Sequence, residues 1–459
     1  HSTPTGTMSS ALAAAIAAAG RRVVSHSMQA RWLHTSSVTT RTGASSGAHG
    51  KTHATSGTSK GSKAANKAPT GGWQPASCYD VTLPEPFPLV LGGSLANVTV
   101  HVEEYGAHTL PAERTVVVMP SFSHSAHVAS NGDDPSPGWW EDLVGSGKAV
   151  DTRHWRVVCI SLLGSPHSPT NPTARNPATG RPFAGAFPQV TPADLARCHA
   201  AVLDVMGVTG QLRAVVGASL GGMQALQFAS LFPDRTARCV AVAATGRTTP
   251  FTVGIRRMQR RAILGDPAYH GGNYAEHGTS PAAGLRLARE LGTLFYRSRE
   301  EFDARFSWEP GSERHFSAQD TWEVESYLNY QGAKFVRSAD ANAYLLLSKA
   351  MDLHNLGDGV AGRATYAEGA ARIRANTLLI GVRQDALIPA AELAMLAECM
   401  TAHGGTATFL PWDNVLGHDA FLKDPAGGWL AGHLRAHLEG GLEAHLAAEL
   451  VHNTASNAP

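Results

Sequence analysis

An α/β architecture, a mostly parallel sheet with helices on both faces and an inserted helical lid late in the chain, is the fold these 459 residues predict. Three observations carry that expectation. Apolar runs of strand length come first without helices between them, and then alternate with stretches of helical spacing. The segment Ala214-Val-Val-Gly-Ala-Ser-Leu-Gly-Gly-Met-Gln224 reads as a buried strand, a glycine-flanked turn and the start of a helix. From about residue 251 to 364 the alternation gives way to helical sequence, and strand-like sequence returns at Thr377.

The first 72 residues are not domain-like. From His1 to Tyr79 there is no acidic residue, whereas Arg21, Arg22, Arg31, Arg41, Lys51, Lys60, Lys63 and Lys67 give eight positive charges. From Met8 an Ala-rich run leads into arginines and Arg31-Trp-Leu-His-Thr-Ser-Ser37, the composition of a mitochondrial transit peptide. Residues 42–72 are mostly Gly, Ser, Thr, Ala and Lys with almost nothing to bury, which predicts a disordered linker. Residues 11–19 are too few to span a bilayer, so no membrane span is expected. The mitochondrial matrix is therefore the expected location, with the cytoplasm as the alternative. Taking those eight basic residues from the 38 Lys and Arg leaves 30 against 37 acidic residues, a net charge of −7 that speaks against a nucleic-acid partner.

The five cysteines lie far apart and form no Cys-x-x-Cys pair, which fits a reducing compartment and neither a disulfide framework nor a zinc site. The 22 histidines include no His-Glu-x-x-His spacing, so no metal is expected, and no bound cofactor is implied.

Strand-like runs follow at residues 89–91, 98–102, 115–119, 157–160, 214–216, 239–243, 377–380 and 407–410, with helical stretches at 192–206 and 222–231. Residues 256–263, 284–291, 324–335 and 340–353 read as helices of the insertion. The implied division is a core over 73–250 and 365–445, a lid over 251–364 and a tail over 446–459. Early strands followed by strand and helix alternation, with a helical insertion before the last strands, are the pattern of an α/β-hydrolase fold.

Three residues then fall into order. Gly217-Ala-Ser-Leu-Gly221 is a nucleophile elbow that presents Ser219 at a helix N-terminus, where backbone N–H groups favour negative charge. Asp385 follows the strand-like run 377–380, and His418 follows the run 407–410. Ser, Asp and His, each just after a strand, are the order in which this fold arranges nucleophile, orienting acid and general base. The run 115–119 ends in Pro120-Ser-Phe-Ser-His-Ser-Ala-His-Val128, where the fold keeps its oxyanion loop. The backbone N–H groups of Phe122 and Leu220 are the expected oxyanion donors. Ser123, His124 and His127 read as loop residues with local hydrogen bonds.

Longer motifs extend the pattern. Gly138-Trp-Trp140, Gly147-Lys-Ala-Val-Asp151, Asn176-Pro-Ala-Thr-Gly180, the elbow through Gln224, Glu325-Ser-Tyr-Leu-Asn-Tyr-Gln-Gly332, Asp340-Ala-Asn-Ala-Tyr344 and Gly417-His-Asp-Ala-Phe421 span nearly all of residues 75–435. In these the chain resembles the homoserine O-acetyltransferase family of α/β-hydrolase acyltransferases. The resemblance implies that acyl-CoA and L-serine or L-homoserine are the substrates, that Ser219 carries the acyl group, and that the protein is a homodimer through its lid helices. It also implies that Arg289 and Asp419 grip the acceptor's carboxylate and amine.

The loop Pro120-Ser-Phe-Ser123 resembles the serine O-acyltransferase branch, including fungal mitochondrial members, as do Gly246-Arg-Thr-Thr-Pro250 and Arg256-Arg257. A bulky Phe122 beside the nucleophile favours serine, one methylene shorter than homoserine. For the acyl group the signals oppose each other: Arg256 or Arg257 could pair the free carboxylate of a succinyl group, whereas Leu387 stands where succinyl-transferring members resemble one another in having Arg. Serine O-acylation with succinyl slightly favoured over acetyl is the expectation; homoserine O-acetylation is the alternative, and an esterase or thioesterase is a third. Residues 1–60 fused to a fluorescent reporter are expected to direct it to mitochondria, and a diffuse cytosolic signal would overturn that address.

Overall fold

The structure, a computed structural model, describes residues 76–306, 322–360 and 364–456. The expected transit peptide and linker lie outside the described residues. Among the described residues an eight-stranded sheet forms the centre, in the order β1 (Ala76–Thr82), β4 (Thr99–Tyr105), β6 (Arg156–Ile160), β5 (Thr115–Met119), β7 (Ala214–Ala218), β8 (Arg238–Val242), β9 (Asn376–Val382) and β10 (Ala407–Trp412). β4 is antiparallel to β1 and β6, and the remaining neighbours are parallel.

The inner parallel strands β5, β6 and β7 are buried on both faces, which explains why they read as nearly unbroken apolar runs. Along β5, Val117 and Met119 face one hydrophobic layer, and Val116 and Val118 face the other. The first layer is filled by α1 (Pro192–Val205), α2 (Leu220–Leu231), α8 (Tyr366–Ala371) and α9 (Ala390–Ala402). The second takes Trp140, Leu143 and Val144 together with α10 (Trp429–Glu439). α1 begins with Thr191 accepting from the Asp194 N–H while Asp194 accepts from the Thr191 N–H, a reciprocal cap behind Pro192.

The insertion between β8 and β9 holds α3 (Pro250–Leu264), α4 (Ala282–Tyr296), α5 (Arg299–Arg305), α6 (Glu323–Val336) and α7 (Ala341–Asp352). α4 packs on both α3 and α6, and Ile263, Leu285, Ala288, Ala341 and Tyr344 form a small core of their own. No helix among the described residues is long and apolar enough to cross a membrane.

Two expectations are corrected. Residues 89–91 are a turn, because the prolines at 86 and 88 lack ladder donors and Gly92 and Gly93 take φ of +98° and +78°. The chain reverses there into the two-residue pair β2 (Phe87–Pro88) and β3 (Ser94–Leu95). The tail drawn at 446–459 is instead most of helix α11 (Leu442–Ser456), whose Leu442 and Leu446 pack against the second layer. Strand β1 was not foreseen at all; Ala-Ser-Cys-Tyr-Asp-Val-Thr is mixed in polarity because this edge strand is half solvated.

Gly221 is pressed against backbone: a Cβ there would lie 2.1 Å from the Met119 carbonyl oxygen. Gly221→Ala is expected to destabilise the fold by about 2–4 kcal/mol in denaturant unfolding, since backbone rather than a flexible side chain would have to move.

Candidate active site

Ser219 sits between the end of β7 and the start of α2 with φ 54° and ψ −123°, a conformation that a non-glycine residue holds only under constraint. The constraint is the glycine pair around it. A Cβ on Gly217 would lie 2.2 Å from the Gly221 carbonyl, so strand and helix approach more closely than any side chain permits. The Ser219 N–H donates to the Val242 carbonyl at 2.9 Å, and the Ser219 carbonyl accepts from the Met223 N–H at 3.0 Å. The hydroxyl is thereby turned toward His418.

His418 Nε2 lies 2.9 Å from Ser219 Oγ, and His418 Nδ1 lies 2.6 Å from Asp385 Oδ2. The carboxylate can only accept, so Nδ1 carries the proton and Nε2 accepts from the serine hydroxyl. The other oxygen of Asp385 accepts from the Leu387 and Ile388 N–H groups, both at 2.8 Å, which fixes the carboxylate's plane. All three side chains are buried. The loops behind them are joined as well: the Asn414 N–H donates to Gln384 Oε1 at 3.0 Å, and Arg383 N–H to the Trp412 carbonyl at 2.8 Å.

Beside Ser219, Leu220 opens α2, so its N–H has no intrahelical acceptor. The Phe122 N–H makes no hydrogen bond with another described residue. The loop that carries Phe122 is pinned from beneath by Ser121 Oγ donating to the Ala218 carbonyl at 2.7 Å and Gln224 Nε2 donating to the Pro120 carbonyl at 3.1 Å. Two free amides beside one hydroxyl form a site able to receive a negative oxygen.

The lid roofs this point with one face of each of three helices. α3 contributes Arg256 and Gln259, α4 contributes Arg289 and Tyr296, and α7 contributes Tyr344, Ser348 and Met351; Leu387, Asp419 and Phe421 complete the cavity. Arg289 lies over the rings of Tyr296 and Phe335, at 5.3 and 4.9 Å from their centroids, and has no acidic partner among the described residues. Asp419 forms an ion pair with Arg297, whose Nε lies 3.2 Å from Oδ2. Arg256 is buried and donates from Nε to Asp352 at 2.8 Å, and Asp352 also pairs with Arg260. Phe122 meets Tyr344 edge to face at 4.9 Å.

Comparisons with known proteins agree with this geometry. The family described as alpha/beta hydrolase fold matches residues 114–404. A homoserine O-acetyltransferase of Symbiobacterium thermophilum is 43% identical over 345 residues, covering 73% of this chain and 88% of that protein. The chain belongs to the homoserine O-acetyltransferase family of α/β-hydrolase acyltransferases. A serine O-succinyltransferase of Stenotrophomonas maltophilia is 39% identical over 350 residues, covering 74% of this chain and 92% of that one. Among solved structures, a homoserine O-acetyltransferase from Bacillus anthracis superposes with a TM-score of 0.69 at 25% identity, covering 77% of this chain and 99% of that one. An esterase superposes with a TM-score of 0.70 at 26% identity, covering 81% and 100%.

Within this member of the homoserine O-acetyltransferase family, Ser219, Asp385, His418, Phe122, Leu220, Arg289, Asp419, Arg256 and Leu387 all meet around one cavity, apart from Asp385 and Leu220, which stand directly behind it. Arg257 does not: it is exposed on the far face of α3. Sequence reasoning missed Gln259, Tyr296, Tyr344, Ser348 and Met351. Their signal was present, since 256 and 259, 289 and 296, and 344, 348 and 351 are helical repeats of a single face, but an apolar face reads equally as core. His124 also lines the cavity, stacked on Trp139 at 4.7 Å, and burial with the nearby Arg289 charge pulls its pKa down to about 3.

Burial alone would lower the His418 pKa, but the charge and hydrogen bond of Asp385 more than offset it and leave the imidazole above its ordinary value. Asp419 is likewise raised by burial, with Arg297 opposing. A base must be neutral to accept a proton, so activity should rise with pH through that elevated His418 value, giving an acid limb above the ordinary ~6.5 of histidine. Asp385→Asn is expected to move the limb in kcat/KM downward and to lower kcat by roughly 10³–10⁴-fold; a limb unchanged in position would show that Asp385 does not act on the imidazole.

Proposed function

We propose that this protein is an L-serine O-acyltransferase that moves an acyl group, succinyl in preference to acetyl, from CoA to the serine hydroxyl through an acyl-Ser219 intermediate. The observation that carries the reading is the Ser219–His418–Asp385 relay opening into a cavity walled by an unpaired guanidinium, Arg289, and a carboxylate, Asp419. A free amino acid presents one negative and one positive group at its backbone, and that pair of side chains answers both.

In the first half-reaction the proton of Ser219 Oγ passes to His418 Nε2 as Oγ attacks the thioester carbonyl. The oxygen that becomes negative rests on the Phe122 and Leu220 amides. The carbon–sulfur bond breaks, and the CoA sulfur leaves with the proton from His418. In the second half the acceptor hydroxyl gives its proton to Nε2 and attacks the same carbonyl carbon; the bond to Ser219 breaks, and its oxygen regains the proton. No bound cofactor is called on, because acyl-CoA is a substrate. The lid excludes water, the competing acceptor.

The choice of serine rests on Phe122, whose ring is held against Tyr344 over the nucleophile and shortens the space left for an acceptor chain. The choice of succinyl rests on Arg256, buried in the cavity wall, because two guanidiniums share the single Asp352 carboxylate and leave excess positive charge. Leu387 in the same wall supports acetyl. A homodimer is supported by Phe251, Met258, Leu287, Leu294 and Tyr330, large apolar side chains exposed on the lid helices. A mitochondrial location rests on the composition of residues 1–72. The likeness to a solved esterase favours hydrolysis as a second reading; against it, water needs neither Arg289 nor Asp419.

Acetyl-CoA and succinyl-CoA offered with L-serine and L-homoserine, read by mass spectrometry, should yield O-succinylserine most rapidly. One methylene of acceptor length is worth about 1–3 kcal/mol, so a homoserine product some 10–200-fold slower is expected. Ser219→Ala should abolish both product and the exchange of labelled CoA into acyl-CoA. Exchange surviving in that variant would overturn the acyl-enzyme, and thioester cleavage indifferent to either amino acid would establish the hydrolase.

A further inference from the structure

The last two helices bring together a second group of potential ligands, none of which lines the cavity. His433 lies on α10, and His445 and Glu449 lie one turn apart on α11. One ligand atom from each, two imidazole nitrogens and a carboxylate oxygen, fall within 4.8 Å of one another. His433 Nε2 is 3.2 Å from one carboxylate oxygen of Glu449, and His445 Nε2 is 3.6 Å from the other.

The protonation of His433 can be worked out from its other nitrogen. Nδ1 is 2.7 Å from the Trp429 carbonyl, which can only accept, so Nδ1 carries a proton. In the neutral ring, Nε2 then directs a lone pair at a carboxylate oxygen. His445 Nε2 is also buried and makes no hydrogen bond. The His433 Nε2 lone pair and the Glu449 carboxylate face each other at 3.2 Å with His445 Nε2 beside them, an arrangement that a cation among the three would satisfy. The His433 side chain is 1% exposed, so bulk water does not serve its Nε2. A metal ion instead uses the neutral ring as it stands.

We propose that His433, His445 and Glu449 bind one divalent cation of the zinc class. Two imidazoles and a carboxylate are a donor set that Zn²⁺ accepts. Tetrahedral ligation at about 2.1 Å sets neighbouring ligand atoms about 3.4 Å apart; the two imidazole nitrogens lie 3.2 and 3.6 Å from different oxygens of the one carboxylate, and one ligand atom from each residue falls within 4.8 Å of the other two. The Nδ1–H to carbonyl bond is the outer contact that orients a ligating histidine. His445 and Glu449 are 33% and 39% exposed, which gives the ion a path in and leaves a position for water. The site ties α11 to α10, whose Trp429 stacks at 5.5 Å on Trp412 at the end of β10. Its effect is thus on the anchoring of the chain's last helix, not on acyl transfer.

The full-length chain, stripped with EDTA and titrated with ZnCl₂, is expected to retain one more equivalent of zinc after gel filtration than His445→Ala or Glu449→Gln, read by metal analysis. Calorimetry should put that equivalent at micromolar affinity or tighter, weakened more than about 100-fold in either variant. Co²⁺ should give the visible absorption of a four-coordinate site in the unaltered chain and not in the variants, all three keeping the same acyl-transfer rate. Equal zinc uptake by the chain and both variants would overturn the site, assigning the metal to other histidines. Absence of zinc uptake would overturn it outright, leaving the three side chains as a hydrogen-bonded contact between the two helices.

Discussion

The meeting of three backbones at the end of β7 is the constraint on which this site depends. The strand end at Gly217, the helix start at Gly221 and the Met119 carbonyl of β5 lie so close that a single Cβ at either glycine would fall within 2.2 Å of main-chain atoms. Ser219, between them, occupies φ 54° and ψ −123°, which costs about 1–3 kcal/mol wherever it is imposed. That cost is offset by the hydrogen bonds from the Ser219 N–H to Val242 and from Gln224 to Pro120, and by the burial of nearly every residue of α2. Because Gln224 reaches back to Pro120, the same helix that strains the serine also sets the height of the Phe122 amide. The hydroxyl and the two free amides therefore belong to one rigid body.

The remaining parts reach that body because parallel strands end on the same side of a sheet. β7, β9 and β10 each run out at that edge, and the turns after them carry Ser219, Asp385 and His418. The lid leaves the sheet after β8 and returns at β9, between the strands that supply the nucleophile and the acid, so its helices have no other place to pack than over the triad. One joint fixes lid to base. Gly417 takes φ +68°, and a Cβ there would lie 2.7 Å from the Ser298 nitrogen at the end of the α4 connection. Ser298 Oγ donates to the Val415 carbonyl, and Arg297 pairs with Asp419. The residue before His418 is thus held by the lid itself, and a lid displaced as a body would carry the imidazole's support with it.

What was legible in the sequence follows from this layout. The strands from β5 onward were readable to within a few residues because the inner ones, β5 to β9, are buried over nearly their whole length and are mostly apolar. The triad was readable because its members follow three such strands in a fixed order. β1 was not, since an edge strand with one solvated side looks like loop; nor was the turn at 89–91, where three apolar residues in a row reflect burial of Leu89 beneath a reversal set by proline and glycine. The lid residues around the cavity were hidden for another reason: Gln259, Tyr296 and Tyr344 lie on inward helix faces, and sequence cannot distinguish a face that lines a cavity from one that packs a core. The His433, His445 and Glu449 group was invisible because twelve residues and a helical reversal separate its first two members.

The four arginines in and beside the cavity differ in what neutralises them, and this decides what each can do. Arg256 and Arg260 share Asp352, so their positions are fixed by ion pairs and only part of their charge is left over. Arg297 is turned toward Asp419 and Glu301. Arg289 is held by the faces of Tyr296 and Phe335, and a ring quadrupole orients a guanidinium without cancelling its charge. It is therefore the lid cation whose full charge faces the nucleophile's cavity. The neighbouring His124 is kept neutral by burial and by Arg289 together, so it neither competes for an incoming carboxylate nor adds a charge that would need pairing when the cavity is empty. In the proposed reaction a carboxylate entering above Ser219 would meet this uncancelled charge at Arg289, and that contact would aim the acceptor hydroxyl toward His418. Because cation–π contact rather than an ion pair holds this arginine, no carboxylate of the protein would have to be displaced for an anion to bind there.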